Sequence, residues 1–143
     1  KTAVIAKNIQ AKHLQIHSNS SGYILMSGMI QLRAIKNSGS GNISIRWVNS
    51  PNISIVSEGD GEIRIAGITK ALNAKLYDNT ALDAQYLRAK TVWIQANDFA
   101  KAKVLPLNSL RAFATNYSNI YYYKKPKHLS QHTTNSGNVL EQT

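Results

Sequence analysis

Three groupings in this chain have residue types and spacing that could do chemistry: two histidine pairs, a set of carboxylates near glycine and asparagine, and a lysine–tyrosine stretch near the carboxyl end. His13 and His17 stand four residues apart, as do His128 and His132. Along a strand that interval spans about 13 Å, too far for both rings to reach one metal ion. Further ligands would have to come from neighbouring segments, and the pattern supplies none, so surface histidines are expected. Asp60, Asp78, Asp83 and Asp98 lie in or beside recurrent turns, and Glu58 and Glu62 flank Asp60. Carboxylates aligned along one edge could hold calcium or act as a pair on a glycosidic bond. The equivalent positions of adjacent units are Gly, Asn and Tyr, which breaks the cluster and makes turn capping the expected role. Gly39-Ser40-Gly41 and Gly59-Asp60-Gly61 precede no helical pattern, so neither reads as a phosphate loop. With no cysteine, disulfides, thiolate metal sites and a thiol nucleophile are excluded. No catalytic, cofactor-binding or metal-binding residue is assigned, and no cofactor is expected.

The lysine–tyrosine stretch is the stronger lead. Lys101, Lys103, Arg111, Lys124, Lys125 and Lys127 follow Asp98 with only Glu141 opposing them, and Tyr117, Tyr121, Tyr122 and Tyr123 interleave. Lysines attract anions; exposed tyrosines stack on flat partners or anchor interfaces. Farther up the chain Arg46 and Arg64 lie close to one repeat apart, and Trp93 alternates out of phase with Val92 and Ile94, so it should face outward. The expected partner-binding set is therefore Arg46, Arg64, Trp93, Arg111, Tyr117, Tyr121, Tyr122, Tyr123, Lys124, Lys125 and Lys127. The competing role for the tail is a solvated end that blunts an open sheet edge, to which Pro126 would contribute. Net charge points the same way: +10 over 143 residues, with a charged fraction of only 17% and fourteen each of Asn and Ser carrying the remaining polarity. Such a surface draws nucleic acid, lipid head groups, acidic glycans or acidic proteins without choosing among them.

These residues are positioned by a repeat. Stepping by nineteen, one column reads Ser21, Ser40, Gly59, Asp78, Asn97, Asn116, Asn135, and the next Gly22, Gly41, Asp60, Asn79, Asp98, Tyr117, Ser136. All but Tyr117 are turn-forming types. Apolar positions keep nearly the same step: Ile53, Leu72, Val92, Leu110 and Leu129 are separated by 19, 20, 18 and 19 residues. Around them apolar residues alternate, as in Leu72–Ala74–Leu76 and Val92–Ile94–Ala96, and a second alternating segment follows each turn, as in Ile43–Ile45–Trp47, Ile63–Ile65, Leu82–Ala84 and Ile120–Tyr122. Period two marks strands with one buried face, which predicts a core position for Trp47. Each unit thus reads as strand, turn, strand, connector. Such a unit cannot close a core alone, but stacked at about 4.8 Å it pairs its backbone above and below. The prediction is an all-β, single-stranded parallel β-helix (β-solenoid) with coils of about 19 residues, six or seven of them forming a rod of roughly 30 Å. Residues 1–143 are expected as one domain, with less regular first coils over 1–36 and a basic carboxyl-terminal end and last coil over 124–143. An antiparallel sandwich also uses short alternating strands, but it does not call for a fixed step.

Several of these segments resemble the auto-transporter adhesin, head GIN domain family. Ser38-Gly-Ser-Gly-Asn-Ile-Ser-Ile45 and Glu58-Gly-Asp-Gly-Glu-Ile-Arg-Ile65 are similar to its glycine–serine–glycine repeats, and Ile68–Leu76 and Leu87–Ile94 to its recurrent lysine- and leucine-bearing segment. Val104–Phe113, Asn119–Pro126 and Asn135–Val139 resemble its final coils. The likeness runs from about residue 37 onward. It implies an exported bacterial protein with a parallel β-helix and transfers no catalytic residue. The chain departs from the family pattern at Asp78-Asn-Thr80, Asn97-Asp-Phe99 and Asn116-Tyr-Ser118, and in its strong basicity.

The expected function is a non-enzymatic structural or protein-interaction module of the bacterial cell envelope, within an envelope or secretion-associated assembly. Alternatives are a surface module for anionic glycan or lipid head groups, and a carbohydrate-active β-helix enzyme. A protein partner in the envelope is expected, and nucleic acid is disfavoured because a solenoid fits duplex grooves poorly. No run of the sequence reaches the apolar length of a membrane helix. Export to the periplasm, outer membrane or cell surface is expected, with an export signal removed from a chain that starts at Lys1.

Overall fold

A computed structural model describes residues 3–142. Among the described residues nine strands form one parallel sheet wound into a solenoid. Six are long: β1 (Ala3–Ser18), β2 (Tyr23–Asn37), β3 (Asn42–Ser57), β4 (Glu62–Leu76), β5 (Ala81–Ala96) and β6 (Lys101–Ala114). Three short ones follow: β7 (Asn119–Tyr122), β8 (His128–Thr133) and β9 (Asn138–Glu141). Each pairs in sequence order with the next coil, β7 and β8 sharing β6 as their neighbour and β9 closing onto β7.

The long strands run unbroken from turn to turn, so the anticipated connectors are corners inside continuous strands. At each corner the ladder slips, as between Ile45 and Val48 of β3 or between Arg64 and Ala66 of β4. A slip places two successive side chains outward, which re-aims the strand without breaking its pairing. β1 slips against β2 at three places, within the segment whose pattern was loosest.

The tight turns explain the polar columns. Asp78, Asp98, Asn116 and Asn135 all hold φ between 56° and 59°, a left-handed conformation that short Asx side chains tolerate. They also cap one another's turns. The Asp98 carboxylate accepts from the Asp78 amide at 3.0 Å, the Asp78 carboxylate from the Gly59 amide at 3.0 Å, and Asn135 donates to Asn116 at 2.9 Å. The true column contains Asp98 where a strict step of nineteen gives Asn97, because the coil from Asp78 has twenty residues and the next eighteen. Inside the turns the Thr80 and Ser118 hydroxyls are buried and donate to the Tyr77 and Thr115 carbonyls at 2.8 and 2.7 Å.

The core is the column of inward aliphatics. Ile43, Ile45, Ile53, Ile55, Ile63, Ile65, Leu72, Leu76, Leu82, Val92, Ile94 and Leu110 are all buried, with Ala74, Ala84, Ala112 and Ala114 where the coil narrows. Two expectations are corrected. Trp47 is not core: the slip after Ile45 puts Arg46 and Trp47 both outward, and Trp47 is 61% exposed. Leu129 follows the inward column but is 37% exposed, because β8 is paired on one side only.

Tyr122 lies near the end of the core, with only Val139 of β9 beyond it among the described residues. Burial, then the nearby Glu141 carboxylate, raises its hydroxyl above the ordinary tyrosine value. The folded state therefore favours the neutral ring. That contribution is complete below the unfolded-state value of about 10 and is lost as pH climbs through the raised folded value. Urea melts across an alkaline series should show parent stability falling above about pH 10, with Tyr122→Phe falling less steeply. Parallel curves would mean that this hydroxyl is not held neutral by the fold.

Candidate functional site

Each long coil presents two outward faces joined by a turn on one side and a corner on the other. The first face follows the turn; the second precedes the next turn. On the first face Arg64 lies in register with Ser44 and Asp83. Its guanidinium is bonded to Glu62, which holds its pKa above the usual arginine value, through that hydrogen bond first and the attraction of the same carboxylate second. Arg46, Arg64, Asp83 and Tyr86 line a shallow depression of about 200 Å³. The two arginines do come together, but Glu62 and Asp83 offset their charge.

The tyrosine–lysine stretch is dispersed by the winding. Tyr117 sits on a turn, stacked on Phe99 with centroids 5.2 Å apart. Tyr121 faces outward beside Lys103 on the first face. Tyr122, at 6% exposed, packs into the core and has no ring surface to offer a partner. Tyr123 is half-buried, its amide bonded to the Val104 carbonyl, while Lys124 and Lys125 are exposed and Pro126 is buried in the crossing to β8. Trp93 and Arg111 are neighbours on the second face, in the ladder Asn73–Trp93–Arg111–Ser130, and Lys127 borders them. His132 stacks on Phe113, at 5.3 Å, rather than meeting His128. Among the described residues no three His, Asp or Glu side chains gather as a metal site.

The corner carries a surface that the alternation did not predict. Met29, Trp47, Ile68 and Tyr86 come from four successive coils and are 76, 61, 53 and 69% exposed. They overlie a mainly apolar groove of about 720 Å³, with Gln31, Asn49 and Arg88 at its rim. Contiguous apolar surface of this kind marks interaction sites far more than isolated exposed residues do. The sequence signal for it is local: Gly28-Met29 and Gly67-Ile68 each put a bulky residue directly after a corner glycine of positive φ.

The family described as "Putative auto-transporter adhesin, head GIN domain" matches residues 1–126. The chain belongs to this family. The match takes in the loosely patterned first thirty-six residues and stops short of the last turn. The family's description places this solenoid among auto-transporter adhesin head domains, which are of the exported, cell-surface or outer-membrane-associated kind. Two solved structures share the fold. A "putative adhesin" from Bacteroides fragilis is 17% identical with a TM-score of 0.71, over 85% of this chain and 60% of its own. A "Putative lipid binding protein" from Parabacteroides distasonis is 16% identical with a TM-score of 0.77, over 98% of this chain and 56% of its own. The chain thus spans little more than half the length of these structures. None of the curated proteins matches it. Among the described residues no helix is long and apolar enough to cross a membrane.

Proposed function

We propose that this domain is a non-enzymatic protein-interaction module of the bacterial cell envelope and that it docks its partner at the corner. The observation that carries this reading is the stripe of Met29, Trp47, Ile68 and Tyr86, exposed over one groove. An apolar centre with Gln31, Asn49 and Arg88 at the rim has the anatomy of a protein interface: a dry middle that gives affinity and a polar edge that fixes orientation. Trp, Tyr and Arg are also the residue types that dominate binding energy. The strands on either side of each corner are paired in parallel, so the backbone that carries the four residues is already ordered before binding.

A second reading draws on the same groove. Its apolar lining, with Arg88 at one end, suits an acyl chain with an anionic head, and the Parabacteroides distasonis structure carries a lipid-binding name.

The test is affinity capture from isolated envelopes, at low and high salt, with the parent and with a Trp47→Glu/Tyr86→Glu double variant. Both positions are exposed, so the double variant should melt within a few degrees of the parent. One defined protein, retained at high salt by the parent and lost by the variant, is the expected result. Single Ala substitutions at either position should weaken that complex by about 30-fold, the equivalent of about 2 kcal/mol. Capture of extractable lipid and no protein would establish the second reading. Equal capture by parent and variant would remove the corner from consideration.

A further inference from the structure

The second face has a charge distribution that the corner stripe does not explain. All seven acids of the chain, Glu58, Asp60, Glu62, Asp78, Asp83, Asp98 and Glu141, lie in turns or on the first face. From each corner to the following turn there is none: residues 30–37, 49–57, 68–76, 87–96, 105–114 and 128–133 contain neither Asp nor Glu. The same segments carry Arg33, Lys36, Lys70, Lys75, Lys90 and Arg111, all exposed, besides Arg88, which borders the corner groove. Winding brings them onto one side, with Lys75 in register with Gln95 and Arg111 in register with Trp93.

Across this acid-free face runs an aromatic ribbon. Trp93 and Phe113 have centroids 5.7 Å apart, Phe113 and His132 are stacked at 5.3 Å, and the Lys75 ammonium lies 5.8 Å from the Trp93 ring. Trp93 and Phe113 are half-buried in the sheet surface rather than protruding from it. Beside Trp93, at one end of the ribbon, lies a groove of about 660 Å³, lined also by Asn73, Thr91, Ser109, Arg111 and His128; Phe113 and His132 lie outside it.

We infer that this face is a binding site for an acidic polysaccharide, separate from the corner. Apolar sugar faces pack on aromatic surface, their hydroxyls find amide and hydroxyl partners, and carboxylate or sulfate groups meet cations with no competing acid nearby. The ribbon takes one ring from each of three successive coils, on β5, β6 and β8, and an extended polymer is the ligand that meets all three. A bilayer would need protruding apolar side chains to enter it, and those stand at the corner instead.

The test titrates the full chain with a galacturonic acid hexamer, using its methyl ester as the uncharged control. Binding should weaken by roughly tenfold in Trp93→Ala and in Arg111→Gln, the loss of one stacking or charge-assisted contact. Lys103→Gln on the first face and Tyr86→Ala at the corner should change it less than twofold. Because Trp93 is half-buried, a second readout is needed that does not alter it. In a Trp47→Phe background Trp93 is the lone tryptophan, and the hexamer should shift its emission and shield it from acrylamide. No binding, tryptophan emission unmoved on binding, or equal weakening by Lys103→Gln would overturn the assignment, the last by reducing it to general charge attraction. So would tighter binding of anionic phospholipid vesicles or duplex DNA, lost with the same two variants.

Discussion

Ile65→Asp should abolish the folded state. Ile65 and Leu72 are 3 and 2% exposed, on the inward side of β4 and on either side of its corner. An unpaired carboxylate there costs several kcal/mol, against a total stability of about 5–15 kcal/mol for a domain of this kind. The winding magnifies the loss. A solenoid coil contacts only the coils above and below it, so disrupting β4 separates β1–β3 from β5–β9 instead of denting a shared core. Leu72→Asp should behave the same way, whereas Ile65→Val should cost about 1 kcal/mol and keep a cooperative melt. Circular dichroism and calorimetry would decide. A parent-like melt of either Asp variant would mean that these side chains do not face inward.

The same residues show why the winding was legible in the sequence. Ile53, Leu72, Val92 and Leu110 recur because each fills an equivalent site one coil higher, and parallel stacking leaves them no other inward direction. Turn residues recur because a left-handed position restricts the choice to a few types, as Asp78, Asp98, Asn116 and Asn135 do. Asp98 shows the limit: coils of twenty and eighteen residues restore the stacking exactly where a strict step of nineteen misplaces it by one.

The candidate surfaces were much less legible, because they depend on where the alternation fails. A slip at the corner turned Trp47 from an inward to an outward residue, and with it the stripe from Met29 to Tyr86 became visible only in the wound structure. The tyrosine–lysine stretch shows the converse. Contiguous in sequence, Tyr121, Tyr122 and Tyr123 are divided by the strand period between an outward position, the core and a crossing segment. Trp93 and Arg111 were singled out separately and are adjacent, because eighteen residues is here one coil.

Gly67→Ala should cost about 3 kcal/mol or more and lower the melting temperature by roughly 10 °C. Two effects coincide at this corner position. Its φ is +140°, a conformation that side-chain-bearing residues rarely adopt, and an added Cβ would stand 2.1 Å from the Val48 carbonyl oxygen and 2.6 Å from the Val48 nitrogen. Both atoms are backbone in the adjoining coil, so relief requires moving the coils apart at their pairing distance. Gly59 separates the two effects. Its φ is +92°, but the nearest atom to an added Cβ, the Gly39 carbonyl oxygen, is 3.1 Å away, a tight contact relieved by a shift of a few tenths of an ångström, so Gly59→Ala should cost mainly the backbone strain, about 1–2 kcal/mol. Gly67 also lines the corner groove, beside Ile68. Displacing it would move Trp47 against Ile68 and weaken partner capture even in whatever fraction stays folded. Equal losses of stability at the two glycines would show that strain alone sets the cost. Lost stability with intact capture would place the docking surface away from this corner.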